Sequence, residues 1–469
     1  MIFVIVYDII CGKERNMMIY RKIIKRLERF YQEGGRTALL IDGARQVGKT
    51  FIVEEFGRTH YESVVKIDFI KMKNAVRLFE GVEDESEIIS RISAFTSKPL
   101  IEGKTLIFLD EVQKCPEAVT YIKYLVRDDG RYHYILSGSL LGVELKNIRS
   151  VPVGVLDEVT MYPLDFEEFV LANGESPELV AQARSAWEKR KPLPKVLHDR
   201  LRKLFRFYLV VGGMPAVVQR YIDTKDVRRV IDEQKKILVE YRKDISQYDE
   251  ANSMRIREVF KRIAPELNKK NKRFYSDSVG ETGRFDRLED EFVWLREAGV
   301  AIPAYNVAEP KIPLKLSEKN SFFKLFANDI GLLSAMMMGG IQLRILNGEA
   351  DMNFGAVYEN AVAQELAAHG FAVRYYNSSA FGEVDFVVEK GCDILPIEVK
   401  SGKHYKRHRA LNRLMGSAEY GIKSAIVFDD DALDVDGGVF YAPIYMMMFL
   451  ENDALPDSMV YDIGKPLEL

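Results

Sequence analysis

Eight residues, GARQVGKT from Gly43 to Thr50, constrain this chain more than any other stretch. They directly follow the apolar run TALLID (37–42) and open the amphipathic stretch FIVEEFG, so the order strand, glycine-bounded loop, helix is predicted. A loop of this kind turns the backbone N–H groups of Gly43, Ala44, Arg45, Gln46, Val47 and Gly48 toward phosphate oxygens, and the helix start adds the positive end of its dipole. Lys49 is then placed to reach the outer phosphates of a nucleotide, and the Thr50 hydroxyl to ligate Mg2+.

A second element supports the first. The apolar run LIFL (106–109) ends in Asp110-Glu111, which sets two carboxylates at the C-terminal edge of a buried strand, where parallel sheets keep their ligand crevices. Asp110 suits a Mg2+ held through water, and Glu111 suits a base that orients an attacking water. The next apolar run, YHYILSGS, ends in Ser137 and Ser139, either of which is placed to sense a terminal phosphate. Together with VVKIDF (64–69), these short runs separated by helix-length stretches predict a parallel sheet covered on both faces.

Beyond Met161 the pattern turns helical, over 179–210 and 225–248, interrupted by VGGMP at 211–215. SMRIREVFKRIAPELN, NKKNKRFYSDS, a helix around 283–298 and the extended segments VAIPAYN and KIPLKL outline a winged helix, in which Lys269, Lys270, Lys272 and Arg273 can meet phosphates or simply water. From about residue 352 a helix, VYENAVAQELAAHG, precedes the strands FAVRYY, EVDFVVE and ILPIEVKS, a basic stretch and the strand SAIVFDD, an α-β-β-β-α-β order. The expected fold class is multidomain α/β: an N-terminal extension (1–17), a P-loop domain (18–158), a helical lid (159–225), a winged-helix-like domain (226–345), an α/β domain (346–450) and a tail (451–469).

The last α/β unit carries its own constellation. Glu398 and Lys400 stand two apart on a strand and share a face, and the preceding strand can bring Asp385 alongside. Two carboxylates so placed can share a divalent cation, with Lys400 steadying charge on a phosphate and Glu359 on the preceding helix as a further carboxylate. The stretch 400–413 adds Lys403, Lys406, Arg407, Arg409 and Arg413 with His404 and His408 and no acid, a patch suited to DNA or RNA phosphates.

Composition sets the remaining bounds. With 469 residues the chain builds its cores without metal or disulfide staples, and a net charge of −3 excludes a polycation while leaving local patches open. Cys11, Cys115 and Cys392 are odd in number and lack paired spacing, which points to a reducing cytoplasm, and no apolar run approaches membrane-spanning length. FFKLFANDIGLL, the methionines at 336–338 and YMMMFL (445–450) read as packing, and His60, His133, His198 and His369 stand isolated. Oligomeric state is not legible.

Taken together, GARQVGKT, LIFLDEVQ, ILSGS, MYPLDFEEF and VVGGMP resemble prokaryotic AAA+-like ATPases in which a P-loop domain is followed by a helical domain of unknown function. Gly213-Met214-Pro215 is similar to the glycine-x-proline loop of STAND signalling ATPases, a resemblance that implies ATP, an adenine contact from Pro215 and a nucleotide-controlled switch. Relatives often carry a basic residue before MYPL, where this chain has Val155 and its nearest substitute is Arg149. The 346–450 pattern resembles the PD-(D/E)XK nuclease fold with its signature positions filled. The expected function is an ATPase whose nucleotide state controls a Mg2+-dependent nuclease-like end; the alternative is an ATP switch that recruits a protein or DNA partner without cutting.

Overall fold

The structure, a computed structural model, describes residues 19–82, 84–139, 154–248, 250–269, 289–337, 341–347, 355–402, 405–431 and 433–452. The expected extension 1–17, Arg149, Lys270, Lys272, Arg273, Lys403, His404 and nearly all of the tail lie outside these residues.

The chain enters through α1 (Ile24–Gln32), whose Ile24, Leu27 and Phe30 recur at helical spacing and are all buried. There follow β1 (Ala38–Asp42), α2 (Lys49–His60), β2 (Ser63–Asp68), α3 (Glu85–Thr96), β3 (Thr105–Asp110), α4 (Pro116–Tyr124), β4 (His133–Ser137) and β5 (Leu156–Thr160). These strands form one sheet in the order β2-β3-β4-β1-β5, every neighbouring pair parallel. Strands β1, β3 and β4 are apolar and enclosed on both faces, as near-continuous aliphatic runs require. The order places β3 and β4 beside β1, so Asp110 and Ser137 end level with the loop that leaves Asp42.

Helices follow: α5 (Phe166–Ala172), α6 (Pro177–Lys189), α7 (Lys195–Val211), α8 (Pro215–Thr224), α9 (Val227–Tyr248), α10 (Glu250–Leu267) and α11 (Glu289–Glu297). A reciprocal capping box between Asp165 and Glu168 starts α5. The helical stretch expected over 179–210 is broken at Arg190, which takes φ 52°, before KPLP and the fresh start at α7.

Beyond these lie β6 (Ala301–Val307), β7 (Glu318–Ala327), α12 (Ile330–Met336), α13 (Ile341–Asn347), α14 (Gly355–Ala368), β8 (Arg374–Ser378), β9 (Gly382–Val384), β10 (Phe386–Lys390), β11 (Asp393–Val399), α15 (Arg409–Met415), β12 (Ala425–Asp429), β13 (Asp434–Asp436) and β14 (Val439–Pro443). The expected hairpin forms as β6 and β7, but it is no free wing. Strand β6 pairs in parallel with β8, Tyr305 opposite Arg374, giving the sheet β7-β6-β8-β9. A sheet thus crosses the expected boundary at 345/346, because an edge strand of a hairpin is best covered by another strand. EVDFVVE, expected as one strand, is divided at Asp385: β9 pairs with β8, while β10 joins β10-β11-β12-β14-β13. In the basic stretch only Arg409–Met415 is helical among the described residues. Met446, Met447 and Met448 are buried packing residues, as expected from sequence.

Candidate functional site

The loop from Gly43 to Gly48 is closed by backbone that few side chains tolerate. Gly43 takes φ 138° with the Met161 carbonyl oxygen where a Cβ would stand, and Gly48 takes φ 96° at the start of α2. Lys49 Nζ donates to the carbonyls of Gly43 at 2.6 Å and Ala44 at 2.8 Å, so the ammonium is folded back into the loop that phosphates would fill. Burial lowers this ammonium to about 8, against the pull of Glu111, Asp42 and Asp110. The Thr50 hydroxyl donates to Asp110 at 3.0 and 3.2 Å, and Ser137 donates to the same carboxylate. Thr50 and Asp110 therefore meet as a hard-oxygen pair that fits Mg2+.

Glu111 takes φ 59° and accepts from Gln113 Nε2 at 2.5 Å. Ser139 is buried and its Oγ meets no hydrogen-bond partner among the described residues, whereas Ser137 is committed to Asp110. Pro215, more than 160 residues from the loop in sequence, has its Cγ 3.6 Å from the point a Cβ on Gly48 would occupy. Val155 is a core residue whose carbonyl accepts from Ala38, so no cation stands at that position.

Four groups of contacts at this site carry no recognisable sequence signal. Arg21 donates to the Val47 carbonyl at 2.8 Å, to the Tyr162 carbonyl at 2.6 Å and to Glu168 at 3.1 Å, pinning the loop from one side. Lys66 reaches Asp110 at 3.3 Å and Glu54 at 2.8 Å. From α9, Asp244 pairs with Arg45 at 2.5 Å, Glu240 accepts from Gln46, and the Tyr241 hydroxyl donates to the Arg45 carbonyl at 3.3 Å. Gly299, at the turn into β6 with φ 67°, lies against Ala44.

The GGMP loop is fixed separately. Asp329 Oδ2 accepts from the Gly213 amide at 2.6 Å and Oδ1 from Leu332 at 2.9 Å. Burial raises this carboxyl to about 6, with the Gly213, Leu332 and Gly331 amides pulling it down.

In the C-terminal part, Asp385 Oδ2 accepts from the Val399 amide at 2.9 Å, which draws the break between β9 and β10 against β11. Glu398 is ion-paired to Lys400 at 2.7 Å, and burial followed by the neighbouring Asp385 pushes its carboxyl well above the usual range. Asp385, Glu398 and Lys400 thus lie together. Glu359, on α14, instead lies 3.8 Å from Lys324 Nζ. Lys324 belongs to FFKLFANDIGLL, a run whose sequence reads as packing alone; it is fully buried on β7 and ion-paired to Glu383 at 2.7 Å. Burial presses its ammonium toward neutrality, but Glu359, Glu383 and Asp385 outweigh that and hold it above the usual lysine value.

Among the described residues no three His, Cys, Asp or Glu side chains are placed to hold one metal ion together. Asp385 and Glu398 do supply neighbouring carboxylates whose mutual repulsion a cation would relieve, a donor set that fits a single Mg2+ completed by water. In the adjoining basic stretch Arg407, Arg409 and Arg413 are exposed, Lys406 pairs with Asp434 at 2.9 Å, and His408 is buried against the Tyr441 hydroxyl at 2.8 Å.

The parallel sheet, the glycine-bounded loop with its buried lysine, and the Thr50–Asp110 pair define a P-loop ATPase domain. Residues 35–170 match the AAA domain family, which makes this an AAA-type ATPase domain and implies ATP. Residues 202–343 and 354–446 match two domains of unknown function, DUF8612 and DUF4143. No curated protein matches the chain. Among solved structures, a Walker-type ATPase of Pyrococcus abyssi is 14% identical over 69% of this chain and 97% of its own, with a TM-score of 0.43. A STAND protein with a tetratricopeptide repeat sensor from Pyrococcus horikoshii is 12% identical over 75% of this chain and 49% of its own, TM-score 0.27. The Aeropyrum pernix Orc1 protein, solved in complex with DNA, is 11% identical over 73% and 96%, TM-score 0.27. Among the described residues no helix is long and apolar enough to cross a membrane.

Proposed function

We propose that this protein is an ATP-controlled switch whose nucleotide state governs a Mg2+-dependent nuclease-like end that engages DNA or RNA. The observation that carries this reading is the β6–β7 hairpin. Its entry turn touches the phosphate loop through Gly299, and its second strand delivers Lys324 into the carboxylate cluster, so one hairpin meets both sites.

In the ATPase part, the loop amides and Lys49 would bind the phosphates, Thr50 and Asp110 would hold Mg2+, and Glu111 would orient and deprotonate the attacking water. Ser139, buried and uncommitted among the described residues, suits the sensor role better than Ser137. Pro215 would pack beside the base. In the C-terminal part, Asp385 and Glu398 would hold the cation, which when bound lowers the pKa of a water and offsets charge on a phosphate. Lys400 would position the nucleophile, and Arg407, Arg409 and Arg413 would neutralise backbone phosphates.

The paired test separates the halves. Lys49→Ala should abolish ATP binding; Asp385→Ala should abolish Mg2+-dependent cleavage while ATP binding persists. If the wild-type protein cuts neither single- nor double-stranded DNA or RNA with Mg2+ or Mn2+, the cutting reading fails.

A second reading, a switch that recruits a partner without cutting, is favoured by one observation. Val155 is locked in the core, so the domain brings no cation of its own from that position to the leaving phosphate. Tight ATP binding with negligible turnover, and nucleic-acid binding independent of metal, would select it.

A further inference from the structure

Four carboxylates gather where β7, α14, β9 and β11 meet: Glu359, Glu383, Asp385 and Glu398. Two ammonium groups lie among them. Lys400 is two residues from Glu398 and belongs to the motif expected from sequence. Lys324 comes from β7, in the region that precedes α14 and its Glu359. Its side chain is fully buried, 2.7 Å from Glu383 and 3.8 Å from Glu359, with its ammonium 4.9 Å from the centre of the Tyr375 ring.

With every carboxyl ionised, this cluster carries two more negative charges than positive ones, an excess that one divalent cation would neutralise. A second divalent cation would have to share the space with the buried Lys324 ammonium or displace it. We propose that Lys324 is a resident counter-ion of the carboxylate cluster: it takes the place of a second cation, so that the site accepts one divalent ion, at Asp385 and Glu398. Lys324 is a positioning residue here, acting on the carboxylates and not on substrate. The inference rests on the nuclease-like reading of Asp385 and Glu398, and it adds a member that the C-terminal segment does not itself contain.

The test is calorimetric titration of the nucleotide-free, full-length protein with Mn2+, using Asp385→Asn to subtract any binding at the phosphate loop. The wild type should show one Asp385-dependent equivalent. Lys324→Met, which keeps roughly the same volume and removes the charge, should tighten that binding about tenfold or more or add a second equivalent, since a cation a few ångströms away no longer opposes the metal. Lys324→Arg should leave the stoichiometry at one. If Lys324→Met is too unstable to titrate alone, its melting temperature should rise with Mn2+ by more than the wild type's does.

Wild-type affinity and stoichiometry in Lys324→Met, or two Asp385-dependent equivalents in the wild type, would overturn the role of Lys324 and leave the metal reading standing. No Asp385-dependent binding in either protein would remove the metal reading itself, and the proposal with it.

Discussion

Arg45 of the phosphate loop is ion-paired at 2.5 Å with Asp244 of α9, a residue 199 positions away in sequence. With Glu240 on Gln46, this sets two acids over the loop that a triphosphate must approach. Asp244→Asn and Glu240→Gln should each raise ATP affinity by about three- to tenfold, because a like charge is removed and, for Asp244, Arg45 is released toward phosphate. Fluorescent-nucleotide titration at two salt concentrations checks this, and the gain should shrink at high salt.

Gly299 is required by its φ of 67° and by the Ala44 amide nitrogen 2.8 Å from where a Cβ would stand. Gly299→Ala should cost about 1–3 kcal/mol of stability through left-handed strain and the displaced loop, and weaken ATP binding in parallel. Denaturant unfolding and nucleotide titration of the same sample read both effects.

Arg21 is buried and its three hydrogen bonds cannot be reproduced by an ammonium. Arg21→Ala should destabilise by about 3–5 kcal/mol because Glu168 is left buried without its guanidinium. Arg21→Lys should recover only part of that loss in thermal unfolding.

Asp329 supplies a pH dependence. Its carboxyl stands at about 6 in the folded protein against an ordinary value of 3.8, so between those values the folded state binds the extra proton. Stability from this group is therefore greatest at the acid end of the window and is lost as pH rises toward 6, by about 1 kcal/mol per pH unit. The difference in unfolding free energy between the wild type and Asp329→Asn should change with that slope from about pH 4 to 6 and level off above it.

The phosphate loop and the Asp110-Glu111 strand end are legible in the sequence because each is a local pattern with a fixed spacing. Asp385, Glu398 and Lys400 are legible for the same reason, as one short strand and its predecessor. Arg21, Asp244 and Lys324 are not, since each acts across a long sequence separation and looks ordinary where it stands. Lys324 does leave a trace: a lone lysine inside FFKLFA, an apolar run that packing alone would not interrupt. The hairpin and the strand FAVRYY are both expected from sequence, but their pairing as β6 and β8 is not, because sheet neighbours from distant segments leave no periodicity to read.

The parallel pairing of β6 with β8 has a consequence for inheritance. Ala327 exchanges hydrogen bonds with the Asn360 side chain at 2.8 and 3.1 Å, and Ile330 donates to Gln364 at 2.8 Å, so side chains of α14 stitch the seam between the two segments alongside the sheet. A lineage that traded its C-terminal end for another would expose the edge of β6 and strand these buried amides. Replacing one segment without the other would also part Lys324 from the carboxylates it pairs with.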